Sequence, residues 1–196
     1  MTTGIAAATG RDGKATRRRI VSATIDCVRR VGAGEASMAA IAGTAGVSKA
    51  LLHYHYTDRA RLLAEVVTTL ARALDAREDA AMRGAEGSGA VDGLWRWVES
   101  ELALGELRVL LELSLVREPA VRAAAVAASR QRHRAAGRTV SLIFEGLGLS
   151  PKVPVALLGN ASLAFLDGLA LRDAEATEEA RVSFDIFWFG LLGIAE

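Results

Sequence analysis

The sequence contains few of the residues that cross-link small secreted domains through disulfides or that favour β-strands. The single cysteine, Cys27, cannot form an internal disulfide, and its place on an apolar stripe favours a small buried residue in a reducing compartment. There are only three prolines, and aromatic residues make up 5% of the chain, with few β-branched or aromatic runs that would predict strands. Abundant Ala and Leu favour helix, and 196 residues can bury a core without metal or disulfides. The predicted fold class is all-α.

Long apolar runs are also missing. None reaches the roughly 18 residues that a membrane span requires, and residues 1–13 lack the charged-then-apolar pattern of a signal peptide. We therefore expect a cytoplasmic protein with no membrane partner. Because Ile5 is the only large apolar side chain in residues 1–13 apart from Met1, that segment is predicted to be a flexible amino-terminal arm.

The net charge of +1 hides an asymmetry along the chain. Residues 1–60 carry nine Lys and Arg against four Asp and Glu, which leaves 15 basic and 19 acidic residues for the remainder. A phosphate backbone attracts a basic surface whatever the base sequence, so the amino-terminal part is the candidate for nucleic-acid binding.

The stretch from Ser37 to Arg59 predicts two short helices joined by a tight turn. Ser37 and Ser48 are each placed to cap the helix that follows, because a Ser hydroxyl satisfies an orphan backbone N–H. Gly46 can adopt the positive φ that such a turn often needs. Leu52 and Tyr56 lie four residues apart and are predicted to face inward. This pattern is typical of a helix-turn-helix.

The same stretch resembles the DNA-binding segment of TetR-type transcriptional regulators. The matching positions are Ser37, Ile41, Ala42, Ala45, Gly46, Val47, Ser48, Leu52, His55, Tyr56, Arg59 and Leu62. The resemblance implies about nine helices, with a helix-turn-helix DNA-binding domain over residues 14–58 and a helical ligand-binding and dimerisation domain over residues 59–196. It also implies a homodimer that binds an operator in double-stranded DNA.

By this resemblance, the second helix of the motif lies in the major groove. Lys49, Ala50 and Leu51 are then expected to face bases, whereas the remaining candidates position the protein on the DNA backbone. Those remaining DNA-binding candidates are Arg17, Ser37, Ser48, His53, Tyr54, His55 and Arg59. Arg17 belongs to a basic run whose alternative interpretation is a solvated helix face. Ala50 stands where the family usually has Gly, so the operator sequence cannot be taken from a relative.

Apolar periodicity and turn residues predict the other helices. Their expected ranges are 14–31, 59–82, 91–104, 105–117, 119–146, 155–172 and 176–194, with a Gly-rich loop over 83–93.

Two sets of candidates fall in this second part. The resemblance places the ligand pocket among the middle helices. The candidates for lining it or orienting a small molecule there are Trp95, Glu99, Leu110, Ser114, Phe144 and Asn160. The last two helices carry more large apolar residues than one half-exposed helix needs, which suggests a second surface packed against them. The resemblance implies that this surface is the same helix pair of another subunit, in a four-helix dimer interface. Its candidates are Leu158, Phe165, Leu169, Phe184, Phe187, Trp188 and Leu191.

The favoured hypothesis is a ligand-responsive dimeric repressor that a small, largely apolar effector releases from its operator. An enzyme is the rival class, but the sequence shows no Ser/His/Asp set, phosphate loop or metal-ligand spacing, so no cofactor or metal is expected. A third possibility is a helical module that keeps the motif and acts through protein partners.

Overall fold

The computed structural model describes residues 3–84, 89–172 and 177–194, and the side chains within these ranges except those of residues 3–12 and 177. Every regular element in that part of the chain is an α-helix, which confirms the predicted all-α class. The helices are α1 (Thr3–Glu35), α2 (Met38–Ala45), α3 (Lys49–His55), α4 (Arg59–Met82), α5 (Gly89–Leu104), α6 (Glu106–Ser114), α7 (Pro119–Gly146), α8 (Val155–Ala170) and α9 (Thr177–Leu192).

The helix bounds agree closely with the apolar periodicity. Helices α4 and α7 begin and end at the predicted residues, and the others differ mainly by a few residues at their ends. The largest difference is α1, which begins at Thr3 rather than at the predicted residue 14, so residues of the predicted arm lie in its first turns. The predicted start of the last helix, at residue 176, lies outside the described residues.

The described residues fall into two compact units. The first comprises residues 1–68 and 112–125, and the second comprises residues 69–111 and 126–196. We call them the head and the body. The head therefore extends past residue 58 and includes the end of α6 and the start of α7. The boundary between a DNA-binding and a ligand-binding domain at residue 58 stays a prediction.

The head is built on the apolar stripe of α1. Ile20, Cys27 and Val28 have no exposed surface, whereas Val31 is 40% exposed. Val31 comes directly before Gly32, where the helical path breaks at φ 82° and ψ 160°. A left-handed φ of this kind suits glycine, so α1 is kinked at this residue.

The body packs α5, α8 and α9 around aromatic side chains. The ring centroids of Trp95 and Phe184 are 5.1 Å apart, and the rings of Phe165 and Phe187 stack at 4.5 Å. Helices α7 and α8 meet backbone to backbone, because a Cβ added at Gly159 would lie 2.9 Å from the amide nitrogen of Gly137. Within the described ranges, the helices lack the combination of length and apolar character that crossing a bilayer requires.

Candidate functional site

The two short helices of the head are held by local contacts that the sequence predicts. The Ser37 hydroxyl accepts a hydrogen bond from the amide of Ala40 at 3.2 Å, and the Ser48 hydroxyl accepts one from the amide of Leu51 at 3.1 Å. Gly46, between the helices, has φ 61°. Both predicted caps and the predicted glycine turn are therefore confirmed.

Helix α3 is anchored on one side and open on the other. Leu52 is fully buried and Tyr56, just after the helix, is 2% exposed. The opposite side presents Lys49, Ala50, Leu51, His53 and Tyr54 to solvent, and Tyr54 is 81% exposed. The anchored side thus fixes the orientation of a short helix whose polar side remains free to meet another molecule.

His55 differs from the other candidates on α3. Its side chain is half-buried, and its ring meets the Tyr54 ring edge-on with centroids 5.3 Å apart. The two rings therefore support each other at the carboxy-terminal end of α3.

Arg17, a candidate phosphate contact, is engaged within the protein. Its guanidinium pairs with both carboxylate oxygens of Glu65 on α4 and lies 4.8 Å from the ring centroid of Tyr56. The hydrogen bond from Arg17 holds the pKa of Glu65 below its usual range. Burial and the Glu65 carboxylate raise the pKa of Tyr56 to about 12. The structure therefore gives Arg17 the role of joining α1, α3 and α4.

Arg59, a second predicted phosphate contact, is also committed to internal partners. Its guanidinium donates to the carbonyl of Ala36 at 2.9 Å and to the carbonyl of Ala33, and it pairs with the Glu118 carboxylate at 2.9 Å. Its side chain is 25% exposed. Two of these bonds satisfy carbonyls at or just after the end of α1, so Arg59 links that end to Glu118, and its contact with a phosphate stays a prediction.

A carboxylate from the end of α6 completes this junction within the head. Glu112 Oε1 accepts a hydrogen bond from the amide of Ala33, next to the kink at Gly32. The amide is freed because Gly32 leaves the helical path. Glu112 and Glu118 therefore attach the segment 112–125 to the end of α1, a connection that sequence spacing alone did not indicate.

The predicted ligand residues do not gather at one place. Trp95, Leu110 and Phe144 are buried, whereas Glu99, Ser114 and Asn160 are exposed. Trp95 packs on Phe184, with the Arg181 guanidinium 5.4 Å from its ring centroid. Ser114 belongs to the head and the other five belong to the body. The set is therefore a mixture of core and surface positions.

The body contains a cleft formed by α4, α5, α7 and α8. It is narrow, with room for about one water molecule. Its lining residues are Leu74, Asp75, Glu78, Trp97, Arg132, Ala135, Ala136, Leu163 and Leu166, none of which was among the predicted ligand contacts. Trp97 lies two residues from Trp95, and both side chains are buried. Apolar periodicity therefore could not indicate which of the two tryptophans lines the cleft.

The polar groups of the cleft differ in how far they are satisfied. Arg132 pairs with Asp167, and the Asp75 carboxylate accepts from Gln131 at 2.9 Å and from Arg138 at 2.8 Å. Glu78 accepts a hydrogen bond from the Thr139 hydroxyl at 2.5 Å, and burial raises the pKa of Glu78 above its usual range. Trp97 is 8% exposed, and its indole N–H has no hydrogen-bond partner among the described residues.

Most of the predicted dimer contacts lie in the interior of the single chain. Their burial places the following residues in the core of the body: Leu158, Leu169, Phe184, Trp188 and Leu191. Phe165 and Phe187 are half-buried and stack on each other. Packing within one chain accounts for the large number of aromatics on α8 and α9, and the dimer contacts stay a prediction.

A different apolar face on the same two helices is open to solvent. It consists of Leu157, Leu171, Val182, Ile186 and Phe189, which are 52–85% exposed. Phe189 has the largest exposed fraction of the five, 85%, which is unusual for a phenylalanine. Periodicity missed this face because both sides of α9 are apolar.

Residues 20–66 match the family described as bacterial regulatory proteins, tetR family. The matched segment covers α2 and α3 together with most of α1 and the start of α4. It therefore contains the caps, the glycine turn and the exposed side of α3.

Solved structures share the fold over 91–93% of the chain. A transcriptional regulator from Rhodococcus sp. Rha1 is 20% identical, with a TM-score of 0.75 over 91% of this chain and 97% of that one. A TetR-family transcriptional regulator from Mesorhizobium loti is 19% identical, with a TM-score of 0.66 over 91% and 97%. NalD, the secondary repressor of the MexAB-OprM multidrug efflux pump in Pseudomonas aeruginosa, is 20% identical, with a TM-score of 0.61 over 93% and 98%.

No curated protein matches the chain in sequence. At the identities of these solved structures, the structural likeness establishes the fold alone, and the family match is confined to residues 20–66.

Proposed function

We propose that this chain, whose residues 20–66 match the tetR family, is a dimeric transcriptional repressor released from its DNA operator by a small, largely apolar effector. The observation that carries the proposal is helix α3, which is anchored by Leu52 and open to solvent on its polar side. Regulators of this family bind DNA and are not enzymes, and we propose that this chain acts in the cytoplasm without a catalytic step.

In this proposal, α3 enters the major groove. Lys49 donates to a base edge, and Ala50 and Leu51 offer apolar contact to a thymine methyl group. His53 and Tyr54 reach the phosphates beside the groove, as do the exposed cap residues Ser37 and Ser48, whose hydroxyl hydrogens are free to donate. Arg17 and Arg59 are left out of this set because their guanidinium groups hold the head together.

The open apolar face of α8 and α9 supports a homodimer. Val182, Ile186 and Phe189 on α9 and Leu157 and Leu171 at the two ends of α8 would be covered by the same residues of a second copy. A four-helix interface of this kind removes Phe189 from water and provides two reading helices for two half-sites about one turn of DNA apart.

The effector is proposed to bind in the body, and DNA and effector then weaken each other's binding reciprocally. This requires the effector to bind more tightly to the form of the dimer that has low DNA affinity. Residues 59–196 are accordingly proposed as the ligand-binding and dimerisation domain, and residues 14–58 as the DNA-binding domain.

The DNA interface is tested with a duplex that the wild-type dimer selects from a random library. Fluorescence anisotropy compares wild type with a Lys49→Ala, Tyr54→Ala double variant, which we expect to bind at least 10-fold more weakly because a base contact contributes about 1–3 kcal/mol. Arg134→Ala is the matched control, since Arg134 is an exposed cation in the body. Equal affinity of the double variant and wild type would overturn the proposed interface.

A further inference from the structure

We infer that His53 makes DNA binding by this chain pH-dependent: the affinity rises as pH falls from about 8 to about 5.5, because the protonated ring adds a cation beside a DNA phosphate. This pH response rests on the proposed function, since it belongs to the same DNA-binding surface. It is a separate form of regulation, because it requires no effector.

The histidines of this chain are concentrated on α3. Two of the three, His53 and His55, lie in the last turn of that seven-residue helix, and the third, His133, lies on α7 in the body. Histidine is the side chain whose charge ordinarily changes between about pH 5 and 8. Lowering the pH through that range therefore adds positive charge to the helix proposed to meet DNA.

His53 is the member of the α3 pair that is open to solvent. Its side chain is exposed and has no hydrogen bond, ion pair or ring contact with any described residue, so its ring nitrogens are free to meet a phosphate. His55, by contrast, is half-buried, with its ring edge-on to that of Tyr54. Lys49 is also exposed and lies four residues before His53, so the two share one side of the helix.

The surroundings of His53 on α2 and α3 contain one other charge that is fixed between pH 5 and 8. Helix α2, which packs on α3, carries no charged side chain. On α3, Lys49 is a like charge that opposes protonation of His53, whereas the negative end of the helix dipole favours it. These influences have opposite signs, and a phosphate of bound DNA adds a direct ion pair that favours the charged ring.

The charged side chains that flank α3 from the adjoining turn and helices have partners inside the head. The pairs are Asp58 with Arg61, Arg17 with Glu65, and Arg59 with Glu118. Within the described ranges, none of these groups is bonded to His53. No carboxylate of the head therefore takes the place of a phosphate.

The direction of the pH response follows from linkage. A phosphate beside the ring favours the protonated form, so the complex binds more protons than the free protein, and lower pH favours the complex. A charged donor makes a hydrogen bond roughly twice as strong as a neutral one, which corresponds to about a 3–10-fold gain in affinity. The added cation also steepens the slope of log affinity against log salt concentration by about 0.9.

Fluorescence anisotropy with the library-selected duplex measures both quantities at about pH 5.5 and about pH 8. Two substitutions fix the charge at this position: His53→Gln is neutral and His53→Lys is a cation at both pH values. We expect wild type to bind about 3–10-fold more tightly at the lower pH, and each variant to bind nearly equally at both. His53→Lys should also keep the steeper salt slope at the higher pH, which shows that its interface is folded.

The third histidine provides the matched control. His133 is exposed, and its Nδ1 lies 2.7 Å from the Ser129 carbonyl oxygen on the same helix of the body. His133→Gln should therefore keep the full pH response of wild type. His55→Gln tests the other histidine of α3 and should keep most of the response, because His55 is half-buried.

An equal pH response in wild type and His53→Gln would overturn the assignment to His53. So would a response that is abolished in His55→Gln and retained in His53→Gln. A wild type that binds the duplex equally at both pH values defeats the pH response alone. A wild type that binds no duplex at either pH defeats the proposed function as well.

Discussion

The head and the body place their candidate functional groups on opposite sides of their helices. In the head, the exposed side of the seven-residue α3 carries Lys49 and Tyr54, and its buried side does nothing but anchor. In the body, Trp97 lines the cleft from the interior, where it is 8% exposed and its indole N–H has no partner among the described residues. The comparison shows that a polar or aromatic residue in a helical repeat has no functional meaning until its side of the helix is known.

Charged residues make the same point in both units. Arg59 in the head donates to two carbonyls at the end of α1, and Arg77 in the body pairs with Glu101, which is 1% exposed. In both cases a basic side chain satisfies buried acceptors instead of facing a partner. Exposure, rather than charge, distinguishes the candidate DNA contact Lys49 from these structural arginines.

The largest expected effect concerns the head. Arg59→Ala removes the donor to the carbonyls of Ala33 and Ala36 and the partner of Glu118, and should lower the free energy of unfolding by about 3 kcal/mol because charged hydrogen bonds to part-buried groups are lost. Arg61→Ala is the control, since Arg61 is 73% exposed and pairs with Asp58 at only 3.7 Å. Urea unfolding measures both. A stable Arg59→Ala protein with weakened DNA binding would restore the phosphate role.

A smaller effect is expected in the body, at the crossing of α7 and α8. Gly159→Ala places a Cβ 2.9 Å from the backbone nitrogen of Gly137 and should destabilise by about 2 kcal/mol, since backbone cannot move aside cheaply. Gly137→Ala at the same crossing meets nothing within 4 Å and should stabilise by up to about 1 kcal/mol through helix propensity. Thermal unfolding of the Gly159→Ala and Gly137→Ala variants measures both effects. A change in melting temperature of the same sign in both variants would contradict the close approach of the two backbones.

The smallest expected effect is the pH dependence of Glu78. Burial raises its pKa in the folded state above the unfolded value, so its contribution to stability is present at low pH and is lost as pH rises through the folded pKa. Glu78→Gln cannot ionise and should therefore gain melting temperature relative to wild type as pH increases. The measurement is the difference in melting temperature across the pH range. A melting temperature of Glu78→Gln that falls relative to wild type as pH rises would contradict the raised pKa of Glu78.

Much of the head could be predicted because its signals are local. The caps Ser37 and Ser48, the turn at Gly46 and the inward pair Leu52 and Tyr56 depend on residues a few positions apart, and the structure confirms each one. The roles of Arg17 and Arg59 escaped prediction because their partners Glu65 and Glu118 lie 48 and 59 residues away in the chain.

The body was predictable only at the level of helices. Its residues Leu158, Phe184 and Trp188 have the size and spacing expected of an interface, but they fill the space between helices of one chain. Likewise, periodicity does not say which of Trp95 and Trp97 lines a cleft, because four helices distant in sequence form its walls.

The sequence by itself determined that the chain is helical, where its helices run, and that residues 37–59 hold a pair of short helices, each capped by a serine. Those properties depend on backbone propensity, capping and turn geometry, which act over a few residues. Only the tertiary structure decided which arginines are engaged, which aromatics are core, and where the cleft and the open apolar face lie. Each of these depends on packing between helices that are far apart in the chain, and the same apolar pattern is compatible with more than one such packing.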